Sequence, residues 1–132
     1  MGDPETEVVM PRIKSDLLEL LLQVEKQTLN AVDIEFEPYT ATTVMCVAGG
    51  YPDEYKKGDA IIGLELLKDV LPFHAGTAQK GDSIVTNGGR VIALTGLGNS
   101  IKEALAKSNE AAEKLDWRGK FYRKDIGLDL LQ

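Results

Sequence analysis

The chain has 132 residues, 43% of them hydrophobic and 27% charged, with a formal net charge of −6. That length suits one compact unit with a real hydrophobic core, and the acidic balance argues against a broad nucleic-acid surface, which needs Lys and Arg clustered over a face. No apolar run approaches the roughly 20 residues of a membrane span, and the acidic start Gly2-Asp3-Pro4-Glu5 is unlike a signal peptide, so neither a membrane nor a nucleic-acid partner is expected and a cytoplasmic location is.

In chain order, residues 2–11 carry turn and acidic residues and lead into a helical pattern from Arg12 to Asn30. Leu17, Leu18, Leu21, Leu22 and Val24 give it a wide apolar stripe that calls for a partner surface, with a second copy of the chain as one candidate. Ile34–Glu37 and Thr43–Ala48 read as strands rich in β-branched residues. A loop from Gly49 to Asp59 precedes a third short strand, Ile61-Ile62-Gly63-Leu64. Asp82–Thr86 and Arg90–Thr95 flank Asn87-Gly88-Gly89, a hairpin signal because Asn-Gly tolerates the positive φ angles of a tight turn. Ser100-Ile101-Lys102-Glu103 is a capping-box pattern, and Ile101, Ala104, Leu105, Ser108, Ala112 and Leu115 form the buried stripe of the helix that follows. The expected fold is α+β, a mainly antiparallel sheet with one helix packed across it, preceded by a long helix of different character.

Four places hold residues suited to binding. Phe121-Tyr122-Arg123-Lys124-Asp125-Ile126-Gly127 would put Arg123 and Asp125 on one face of a strand and Lys124 on the other. Both cations reach one anion only at a bend, which Gly127 permits; the alternative is a solvated edge strand guarded by charge. His74 lies in Phe73-His74-Ala75-Gly76-Thr77, where small neighbours would let a ligand approach the backbone, or it is simply structural. Arg90 follows the Asn-Gly turn and is either a ligand contact or a cross-strand charge. Gly49-Gly50-Tyr51-Pro52 is a turn whose amides could nest an anion. The single Cys46 permits no internal disulfide and is expected to pack as a small buried hydrophobe; together with the single histidine it argues against a zinc site. No nucleophile is paired with a base and no GxxxxGK phosphate loop is present, so the residues alone lead to a small-anion-binding domain.

In this order, Asp3-Pro4-Glu5-Thr6, Lys14-Ser15-Asp16-Leu17, Gly49-Gly50-Tyr51-Pro52, Gly58-Asp59 with Ile62-Gly63-Leu64, His74-Ala75-Gly76-Thr77, Gly88-Gly89-Arg90-Val91 and Tyr122-Arg123-Lys124-Asp125-Ile126-Gly127 resemble the C-terminal part of the glycinamide ribonucleotide synthetases, or phosphoribosylamine-glycine ligases. The resemblance implies an ATP-grasp carboxylate-amine ligase of purine biosynthesis that activates glycine as an acyl phosphate for attack by 5-phosphoribosylamine. It implies a tail of the ATP-grasp domain over residues 1–30 and the family's C-terminal domain, barrel-sandwich-like, over residues 31–132. ATP and Mg2+ (or Mn2+) are the implied cofactors. The family's Glu-x-Asn metal ligands fall just before the Gly-Asp-Pro-Glu motif, so the ligands for both are expected outside this chain, along with the N-terminal domain and the nucleotide clamp. This chain alone is then expected to be inactive, with no catalytic residue and no metal ligand of its own.

By the same resemblance Arg123 and Lys124 hold the ribose 5-phosphate, Asp125 orients a cation or accepts from a ribose hydroxyl, and Asp3 lies where ATP-grasp loops meet the substrate carboxylate. His74 and Arg90 are carried as further substrate-binding residues. Gly96 stands where the family usually has alanine and Asn109 where it tends to have an aromatic, both read as packing adjustments. The alternative is a stand-alone anion-binding or interaction module without catalysis.

Overall fold

A computed structural model describes residues 2–131. The longest strand, β5 (Arg90–Gly98), lies at the centre of a three-stranded antiparallel sheet between β1 (Thr40–Val47) and β2 (Val70–His74). Its residues Val91, Ile92, Ala93 and Leu94 are fully buried, as a strand covered on both faces must be. A two-stranded antiparallel unit, β3 (Thr77–Lys80) and β4 (Ser83–Thr86), turns at Gly81-Asp82. The helix α3 (Ile101–Lys114) crosses one face of the larger sheet. The four-residue helix α1 (Thr6–Val9) sits on the other, where the Thr95 hydroxyl lies 3.0 Å from both the Glu7 carbonyl and the Thr43 hydroxyl. The class, the antiparallel sheet and the packed helix are as the sequence implies.

The capping signal of α3 works as its residues suggest. The Ser100 hydroxyl accepts from the Glu103 amide at 3.2 Å, and the Glu103 carboxylate accepts from the Asn99 amide at 2.8 Å. Ala104, Leu105, Ser108, Ala111 and Ala112 are buried against the sheet, and the core runs on through Val44, Cys46, Leu115 and Trp117. Small residues let α3 approach closely: a Cβ built on Gly96 would lie 2.3 Å from the Ala104 carbonyl oxygen. Ser108 Oγ completes the seam, accepting from the Gly96 amide and meeting the Thr42 carbonyl, each at 2.9 Å.

Four expectations are corrected. The long helix over 12–30 is a nine-residue helix, α2 (Leu17–Glu25). Ahead of it Ile13 is extended and bridges Phe36, with the Glu37 amide donating to the Arg12 carbonyl at 2.8 Å. Asp16 then caps the helix start by accepting from Glu19, and Gln27 leaves helical geometry at φ +57. The apolar stripe from Leu17 to Val24 lies wholly within α2, and the flanking residues 12–16 and 26–30, which have no such stripe, are not helical with it. Ile34–Glu37 contributes one bridge rather than a strand, and Ile61–Leu64 likewise one bridge, from Ile62 to Asp116, ahead of a 3-10 turn at Leu64–Leu66.

Asn87-Gly88-Gly89 does not close a hairpin: β4 pairs with β3 and β5 with β1 and β2. The chain passes there from one sheet to the other, crossing the His74-Ala75-Gly76-Thr77 turn so tightly that a Cβ on Gly76 would lie 2.7 Å from the Gly88 Cα. Gly88 therefore serves close backbone approach. Leu17, Leu18, Leu21, Leu22 and Val24 of α2 are exposed, and only Leu20 is buried. No helix among the described residues is long and apolar enough to cross a membrane.

Candidate functional site

A cavity of about 760 Å³ opens beside β1. Its floor is the strand from Thr40 to Val47, and its walls come from Pro4 and Val8 on one side and Leu105, Ile126 and Leu130 on the other. Two arginines, Arg90 and Arg123, line it together with Tyr51 and Phe121. They arrive from distant parts of the sequence because Phe121 forms a two-way backbone bridge with Val47, 2.8 and 3.1 Å, while the neighbouring Ala48 amide is held by the Gly89 carbonyl at 2.8 Å. The end of β1 thus brings the start of β5 and the 121–127 segment to one place.

Arg90 is held by Asp3: Nη1 donates to the Asp3 carbonyl at 3.0 Å and Nη2 lies 3.1 Å from its carboxylate. Both side chains are near half exposed, so the pair is worth at most about 1 kcal/mol, and its value is placement. Arg123 is held by Asp125 in a fork, Nε to Oδ1 at 3.0 Å and Nη2 to Oδ2 at 2.7 Å. The Arg123 guanidinium holds the Asp125 carboxyl below the usual carboxylate range, and Asp125 in turn raises Arg123. The fork leaves Arg123 Nη1 without a hydrogen-bond partner among the described residues. Beyond the Phe121 bridge the expected strand is absent, since the chain bends at Lys124 and turns at Ile126-Gly127, and the Lys124 ammonium stands 5.7 Å from the Tyr122 ring centroid.

His74, at the end of β2, shares a 2.9 Å hydrogen bond between Nδ1 and the Thr77 hydroxyl. It does not line the cavity, and neither do the side chains of Lys124, Asp125 and Asp3. Of the six residues singled out from the sequence, the fold therefore brings Arg90, held by Asp3, and Arg123, held by Asp125, to one cavity, and leaves Lys124 and His74 off its lining.

Lys120 was not singled out. Its ammonium donates to the Ala112 carbonyl at 2.6 Å and to the Leu115 carbonyl, closing the C-terminal end of α3, and stands 5.4 Å from the Tyr122 ring centroid. A cation six residues past a helix end is the one sequence signal that could have pointed to it. Among the described residues no three His, Cys, Asp or Glu side chains group to hold a metal ion.

Residues 41–129 match the family described as phosphoribosylglycinamide synthetase, C domain. The chain is 46% identical over 128 residues to a phosphoribosylamine-glycine ligase of Vibrio vulnificus and 44% identical over 128 residues to one of Haemophilus influenzae, in each case across 96% of this chain and 30% of the relative. It is also similar to the crystal structure of the phosphoribosylamine-glycine ligase of Thermotoga maritima, with a TM-score of 0.74 and 38% identity over 95% of this chain and 31% of that one. The chain therefore spans about a third of the length of the relatives it matches. The match over both sequence and fold settles the family: the chain belongs to the phosphoribosylglycinamide synthetase C-domain family.

Proposed function

We propose that this chain serves as the C-terminal part of a phosphoribosylamine-glycine ligase, which joins glycine to 5-phosphoribosylamine with conversion of ATP to ADP and phosphate, through a glycyl phosphate, in purine biosynthesis in the cytoplasm. Residues 31–132 act as its C-terminal domain, and residues 1–30 are the tail of an ATP-grasp domain whose remainder holds ATP and the metal. Mg2+ or Mn2+, when bound, neutralises phosphate charge; its ligands come from outside this chain.

The part of the reaction assigned here is grip on the amine substrate. Arg123 contacts the 5-phosphate through its free Nη1 and planar donors, while Lys124, which rests beside Tyr122 and off the cavity lining, joins it as a compact charge by swinging from that ring. Asp125 keeps Arg123 in one rotamer, so that less entropy is lost when the anion arrives. Arg90, which lines the cavity, contacts the substrate while Asp3 holds it in place at the mouth, and any contact from Asp3 itself or from His74 is made from outside the lining. The convergence of Arg90 and Arg123 on one cavity, in a chain of this family, carries the reading. Positioning the amine against an activated carboxylate can contribute several kcal/mol to the barrier reduction without any acid or base from this chain.

The test is turnover by the full-length protein and by residues 1–132 alone. ADP release that requires both glycine and phosphoribosylamine is expected from the first and none from the second. A full-length protein that binds phosphate esters but releases no ADP would instead make this a binding module.

A further inference from the structure

We infer that the open edge of β1 is the seat of an added β-strand, supplied by the part of the full-length protein that lies outside this chain. β1 pairs on one side with β5 only. Val47 turns its backbone away from β5 and gives both groups to Phe121. Alternation then turns the backbone groups of Ala41, Thr43 and Met45 the same way, and among the described residues these outward groups have no hydrogen-bond partner. Unpaired edges of this kind are normally blunted by charge or proline. The opposite edge strand, β2, carries Pro72 at its centre, whereas Thr-Ala-Thr-Thr-Val-Met-Cys-Val of β1 has neither.

The edge is also roofed for an occupant. It forms the floor of the cavity described above, with Pro4 and Val8 standing over one face of the sheet and Leu105, Ile126 and Leu130 over the other. Leu130 is 62% exposed. A strand laid along Ala41–Met45 covers about 13 Å at roughly 3.3 Å per residue, and its alternate side chains meet the two walls in turn. Its chemistry is therefore apolar on both faces, as in the middle of a sheet, with main-chain bonds supplying the affinity.

A second copy of this chain does not suit the groove, because its own β1 is recessed between the same walls and two recessed edges cannot meet. Most of the length of each relative lies outside the matched part, which gives a covalently tethered strand at high effective concentration. Pairing ends at Met45, since Val47 is already taken by Phe121, so the Arg90 and Arg123 end of the cavity stays open for a small anion. The inference rests on the chain being part of a longer protein, as proposed above.

The experiment is residue-resolved hydrogen exchange on full-length protein whose ligase turnover has been measured on the same sample. Protection factors at the Ala41, Thr43 and Met45 amides are expected to exceed those of Lys56 and Lys57, in the exposed loop, by at least about 100-fold, independently of protein concentration. Thr43→Pro, which removes an outward N–H and the hydroxyl bond to Thr95 but no backbone bond of the β5 ladder, is expected to lower protection at Ala41 and Met45. Exchange at these amides within about 10-fold of the loop in a protein that turns over would overturn the inference and leave the ligase reading standing. Protection that grows with concentration, pointing to a second copy, or protection at Ala41 and Met45 that survives the proline in a folded variant, would overturn it as well.

Discussion

Gly96→Ala tests how closely α3 lies on the sheet. The new Cβ would sit 2.3 Å from the Ala104 carbonyl oxygen and 2.9 Å from both the Ser108 amide nitrogen and Oγ, where ordinary contact begins at 3.4 Å. The nearest atom is backbone in the middle of a helix, so relief requires α3 to move out by about 1 Å. Overpacking of this kind costs about 1–3 kcal/mol, and the same movement breaks the buried Gly96 to Ser108 hydrogen bond, which adds about 1–2 kcal/mol. With an unfolding entropy of about 2.1 cal/mol/K per residue, a total of about 2–5 kcal/mol lowers the melting temperature of this chain by about 7–18 °C. Calorimetry on parent, Gly96→Ala, Ser108→Ala and the double variant is the assay. The double variant should cost less than the sum of the singles, because the displaced helix has already lost the serine's bonds. Alanine is the usual residue here by family resemblance, so a Gly96→Ala protein within about 0.5 kcal/mol of the parent would refute the close approach of α3 in this chain.

Other outcomes follow from the same structure. Burial pushes the Cys46 thiol up to about 11; the folded chain then keeps a proton that the unfolded chain loses from about pH 9, so stability should fall by about 2–3 kcal/mol between pH 9 and 11. Denaturant titrations across that range should show the slope in the parent and not in Cys46→Ala. Lys120→Met should cost about 2–3 kcal/mol through the lost bonds to the last carbonyls of α3, against under about 0.5 kcal/mol for Lys124→Met, read by the same titrations. Residues 1–132 alone should self-associate through the exposed leucines of α2, and Leu18→Glu with Leu21→Glu should return a monomer in sedimentation velocity; a parent already monomeric at high concentration would contradict this.

The strongest local signals in the sequence were those that depend on neighbours three or four residues away. Ser100 and Glu103 cap α3 as their spacing says. Signals that depend on distant chain failed. Asn87-Gly88 has the residues of a hairpin turn, yet its glycine is needed where the chain crosses Gly76, a contact that no local pattern encodes. The apolar stripe from Leu17 to Val24 is helical, whereas the Arg12 to Ser15 stretch ahead of it is drawn into extended pairing with Glu35 to Glu37. The site shows the same division. Arg123 stands out in its own motif, whereas Asp3 and Arg90 are 87 positions apart and meet only because α1 lies on the sheet that β5 centres. The cavity floor was invisible for a related reason: β1 reads as an ordinary strand, and only the sheet order makes it an edge.

Arg123→Ala in the full-length protein separates grip on the amine substrate from a plain surface charge. If Arg123 grips the substrate phosphate, the Michaelis constant for phosphoribosylamine should rise by about 10-fold to 150-fold, the equivalent of a charge-assisted hydrogen bond of roughly 1.5–3 kcal/mol, while those for ATP and glycine barely move. Melting curves on the same samples should coincide with the parent's, since the ion pair with Asp125 is exposed. Unchanged phosphoribosylamine saturation in a well-folded variant would contradict the account and return Arg123 to a surface charge on an edge segment.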